Sequence, residues 1–76
     1  MNDIELLGRA WYLYNGTEFC KWMQTLAPWM TETDSYFLEK FRMFQDNPIK
    51  YYGDLSSHNR ELFVKYLRAD ESLSHK

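Results

Sequence analysis

The 76-residue chain has one cysteine, two histidines, two prolines and three glycines. Each scarcity excludes something. One cysteine makes no internal disulfide, so no covalent framework holds the fold. Zinc needs four Cys or His ligands, or three with a water, and Cys20, His58 and His75 are too few and too far apart. Gly8, Gly16 and Gly53 are scattered, so there is no phosphate loop and no dinucleotide fingerprint. No apolar run approaches the ~20 residues of a membrane-spanning helix. The start, Met-Asn-Asp-Ile-Glu, lacks the basic-then-apolar pattern of a secretion signal. The composition predicts a soluble, cytoplasmic, single-domain protein with no cofactor and no metal.

Net charge is −2, and no block of five or six like charges occurs. The charge is nevertheless uneven. Residues 1–39 carry six acids and two bases, net −4; residues 40–68 carry six bases and three acids, net +3. Such asymmetry marks either ordinary solvated helix faces or a polar contact with a partner or a second copy.

Aromatics are abundant instead: three Trp, six Tyr and five Phe, 18% of the chain. A domain this small buries only somewhat more than ~60% of the surface its unfolded chain exposes. Large rings compensate, each burying roughly 150–250 Å². The surplus therefore either fills a thin core or faces a partner.

The spacing of apolar residues predicts an all-α, compact single domain of about four short helices, roughly 3–14, 18–27, 33–45 and 55–69, in irregular or orthogonal packing. In the first, Ile4, Leu7, Trp11 and Tyr14 recur at three and four, with Asn2 or Asp3 as cap and Asn15-Gly16 as a left-handed stop. Asn15-Gly16 also fits a hairpin turn, the main competing reading. In the second, Thr17 is the expected cap, and Phe19, Trp22, Met23 and Leu26 form one stripe that Pro28 ends. The third starts at Thr31 or Thr33 and buries Phe37, Leu38, Phe41 and Phe44. Asn47-Pro48 ends it, and Ile49 to Tyr52 is too short to assign. The fourth, capped by Asp54 or Ser56, buries Leu55, Leu62, Phe63, Tyr66 and Leu67. Residues 1–69 make the domain; 70–76 read as a polar, frayed tail.

Catalytic chemistry finds little support. A Cys20–His58 nucleophile pair lacks an orienting third group, and Cys20 flanks an apolar stripe, where a free thiol behaves as a small hydrophobe. Glu32 and Asp34 resemble half a calcium loop but lack its central glycine and sit where helix caps belong. The expected function is a small non-enzymatic protein-interaction module: a regulator or inhibitor of a larger protein, or an assembly subunit. Trp11, Tyr12, Trp29, Tyr51 and Tyr52 are the candidate contacts, since Trp and Tyr dominate interface hot spots. The alternative is a nucleic-acid-associated accessory protein touching phosphate through Lys50, Arg60, Lys65 and Arg68. A homodimer that uses the spare aromatics is a third reading.

Overall fold

A computed structural model describes residues 2–74. Six helices follow one another: α1 (Asp3–Leu13), α2 (Gly16–Leu26), α3 (Ser35–Asp46), α4 (Pro48–Asp54), α5 (Ser57–Ala69) and α6 (Glu71–Ser74). No strand occurs among the described residues. The all-α expectation holds, and the Asn15-Gly16 hairpin does not form.

The caps explain the boundaries. Asn15 does not end α1 in a left-handed turn. Its side chain accepts from the backbone of Thr17 and Glu18, and Glu18 returns a bond to the Asn15 N–H at 3.0 Å. This capping box starts α2 at Gly16 and displaces Thr17 as the cap. Likewise Asp34, rather than Thr31 or Thr33, caps α3 by accepting from the Tyr36 N–H at 2.8 Å. Glu32 instead reaches Thr17, its two oxygens 3.4 and 3.5 Å from the hydroxyl.

Asn47-Pro48 ends α3 as predicted and also begins α4. The Asn47 side chain accepts from the Lys50 N–H, and Pro48 stands at the first helical positions, where its missing N–H costs nothing. The unassigned Ile49–Tyr52 segment is therefore helix. Its effect is to turn Tyr51 into the core.

The core is a ring cluster around Phe19, Trp22, Phe37, Phe44 and Phe63, all shielded from solvent. Phe19 stacks on Phe44 with centroids 5.0 Å apart, and Trp22 lies 4.6 Å from Phe63. Tyr51 meets Phe19, Phe44 and Phe63 edge-on, and its hydroxyl accepts from the Trp22 indole N–H at 3.1 Å. α1 packs on α4, α5 and α6 through Leu6, Leu7, Ala10 and Tyr14. Its buried face is rotated from the predicted one, because Ile4 and Trp11 are 64% and 49% exposed. Leu38 on α3 is also exposed.

The predicted frayed tail is corrected over residues 70–74. Leu73 is fully buried, and the Arg9 guanidinium donates to its carbonyl at 3.1 Å. Asp70 organises this segment by accepting from Ser72 N–H and Oγ and from the Tyr14 hydroxyl at 2.6 Å. Residues 70–73 thus close one side of the core. His75 lies outside the described residues.

Candidate functional site

Pro28 creates the most distinctive surface feature. It stops α2 at Ala27, and the chain turns back with the Met30 N–H donating to the Ala27 carbonyl at 2.9 Å. The Gln24 side-chain amide then clamps the Met30 carbonyl at 2.9 Å. Met30 is thereby buried, and its neighbour Trp29 is forced outward, 76% exposed.

Trp29 stands at the edge of a groove of about 530 Å³ between the end of α2, the start of α3, and the α4–α5 junction. Met23, Met30 and Tyr51 form its buried floor, and Met43, Ala27 and Leu55 are half-buried in its sides. Leu26, Trp29 and Tyr36 are its exposed apolar walls. Lys40 sits over the Tyr36 ring, 5.3 Å from its centroid, in cation–π contact with that wall. Asp34 and Asp54 supply polar edges. Three thioethers in the lining give a polarisable surface that re-packs around different apolar shapes.

The predicted contact residues do not form one patch. Only Trp29 combines exposure with the groove. Tyr51 is 4% exposed and belongs to the floor, because α4 turns it inward. Burial pushes its phenol up to about 12, against the opposing effect of the Trp22 hydrogen bond. Trp11 and Tyr12 lie on the outer face of α1, where the Trp11 indole donates to the Gln45 carbonyl at 2.7 Å. Tyr52 is half-buried beside Phe63. Sequence reasoning did not place Leu26, Met30, Tyr36 or Met43 in a site. Three of the chain's four methionines line the groove, but only tertiary packing brings them together.

The four basic residues are largely engaged within the chain. Lys50 pairs with Asp54 at 3.1 Å, and Arg68 pairs with Asp3 at 2.8 Å. Arg60 donates to the Gly53 and Leu55 carbonyls, closing the end of α4. Lys65 is exposed.

Cys20 is buried, its thiol pointing at the Met30 carbonyl 4.0 Å away. Desolvation, with Glu32 nearby, pushes the thiol up. A thiol so placed is a poor nucleophile at neutral pH. Labelling with an aromatic disulfide reagent is therefore expected to follow unfolding, with a native rate at least about a hundredfold below that in denaturant, since the thiol becomes accessible only on opening. Rapid native labelling contradicts this placement. Among the described residues, no three His, Cys, Asp or Glu side chains are grouped to hold a metal. No helix there is long and apolar enough to cross a membrane. Neither a protein-family model, nor a curated protein, nor a solved structure matches this chain.

Proposed function

We propose that the chain is a small non-enzymatic protein-interaction module, acting as a regulator, inhibitor or assembly subunit, and that it receives apolar side chains of another protein in the Trp29 groove. One observation carries this reading: Trp29 is held out into solvent by a clamped, proline-initiated turn beside a methionine-lined groove. Leaving a large ring mostly in water forgoes roughly 2 kcal/mol of burial. Placed at a groove rim, the same ring offers rigid contact area at little entropic cost. The volume lies within the range of ordinary ligand pockets and admits a few side chains, as when an apolar helix face lies in a groove.

The nucleic-acid alternative gains no specific support. Three of its four bases already serve ion pairs or helix ends, and phosphate binding would have to displace those contacts.

The test is affinity capture from the native cell with the wild-type chain, Trp29→Ala and Tyr36→Ala in parallel, with and without nuclease. Wild type is expected to retain a protein partner after nuclease treatment. Trp29→Ala is expected to lose it by about thirtyfold, a loss of ~2 kcal/mol typical of a hot spot. Both variants should keep native helicity, because both rings are exposed. Nuclease-sensitive capture, or undiminished capture by Trp29→Ala, overturns the reading.

A further inference from the structure

The outer face of α1 is a second, separate apolar surface. Ile4, Trp11 and Tyr12 are 64%, 49% and 80% exposed. With Gly8 they fall at i, i+4, i+7 and i+8, one contiguous stripe on a helix. None of these four lines the Trp29 groove.

Gly8 is the feature that the monomer does not explain. It is the midpoint of Asp3–Leu13, where glycine weakens a helix relative to alanine. A Cβ built there meets nothing within 4 Å, and no glycine among the described residues has a positive φ. Neither packing within the chain nor backbone geometry calls for it. A glycine at the centre of an exposed apolar stripe does permit another backbone to approach closely.

We infer that this face binds a second copy of the chain, with the two α1 helices antiparallel and crossing at Gly8. The stripe is self-complementary about that point. In the two-fold pairing, Gly8 meets Gly8 of the second copy, and Ile4 of each copy faces Tyr12 of the other. This is the closed, isologous arrangement most common among soluble oligomers. Charge is compatible with it. Glu5 and Arg9 lie on the same flank of α1, and reversing one helix sets each Arg9 about two residues, ~3 Å along the axis, from the other copy's Glu5 and equally from its Arg9, so the two carboxylates flank and offset the two guanidiniums. Long side chains span that offset. Arg9 donates to the Leu73 carbonyl through Nη1, and a guanidinium carries further N–H donors.

The area suits a weak, reversible dimer. The exposed parts of Trp11 and Tyr12 together amount to roughly 300 Å². Ile4 and the stems of Glu5 and Arg9 bring the face toward the ~450 Å² of nonpolar surface that one partner contributes to a standard interface. Trp11 is already fixed by its bond to Gln45, so little ordering is needed on association.

Light scattering and sedimentation of the full chain test this, over about 10 µM to 1 mM, where an interface of this size associates. The wild type is expected to move from 9.3 kDa to twice that mass. Gly8→Gln, which meets no obstacle within its own chain, should keep its helicity by circular dichroism and stay at 9.3 kDa. Glu5→Arg should weaken association about tenfold at low salt, with the difference shrinking as salt is added. A wild type that stays at 9.3 kDa throughout, or a Gly8→Gln chain that associates as the wild type does, overturns the inference. Groove binding is read separately through Trp29, so either result leaves that question open to its own test.

Discussion

Trp22→Ala is expected to remove about 3–5 kcal/mol, a large share of the stability of a chain this short. The indole is fully buried, packs on Phe63 and Tyr66, and donates to the Tyr51 hydroxyl at 3.1 Å. Removing it empties the centre of the ring cluster and leaves the Tyr51 hydroxyl without that donor. Truncating a buried aromatic costs about 3–5 kcal/mol. A chain of this length has roughly 4–11 kcal/mol of total stability, so one substitution consumes much or all of it. Trp22→Phe retains most of the packing and loses the hydrogen bond, and is expected to fold with a loss of about 1–3 kcal/mol. Urea denaturation followed by circular dichroism gives both numbers. An alanine variant as stable as the wild type contradicts the central position of this ring.

The second large effect concerns the chain's last described turn. Ending the chain at Ala69 is expected to cost about 4 kcal/mol, combining the burial of a leucine with a charge-assisted hydrogen bond. Leu73→Ala alone is expected to account for about 2–3 kcal/mol of that. The acid part of the prediction follows from Asp70. Burial pushes its carboxyl up, but the hydrogen bonds from Tyr14 and Ser72 together outweigh burial and hold it below the ordinary value. Its contribution is therefore complete above the unfolded-state pKa of about 3.9 and is lost as pH falls through the lower folded value. Asp70→Asn should flatten that part of the acid limb in stability measured between about pH 5 and pH 2. A truncated chain with unchanged stability would restore the reading of a frayed tail.

The sequence showed the helices wherever apolar spacing ran for three turns and punctuation bounded it. Phe37, Phe44, Phe63 and Leu67 on α3 and α5 are buried as their spacing implied. It showed less where one residue serves two elements. Asn47 ends α3 and caps α4, so Pro48 reads as a stop although it is also a start. On α1, two apolar stripes compete, and spacing alone does not say which one the rest of the chain covers. Leu73 was hidden by its polar neighbours, since a single apolar residue has no periodicity.

The groove was least legible. Trp29 stood out as a ring without an assigned burial partner, and Pro28 beside it was visible as a helix end. That Met23, Met30 and Met43 would meet under it depends on how α2, α3 and α4 cross, which no local pattern encodes. Tyr36 stands next to buried Phe37 in the chain, yet it is 54% exposed and forms a wall of the groove.

The most direct test of the groove as the binding surface is a ¹⁵N spectrum of the three tryptophan indoles, recorded with and without the captured partner. Trp22 and Trp11 donate to Tyr51 and Gln45, and each reports a different place in the fold. Partner binding is expected to shift or broaden the Trp29 indole and to leave Trp22 and Trp11 unmoved. A partner that shifts Trp11 while Trp29 stays in place would contradict it.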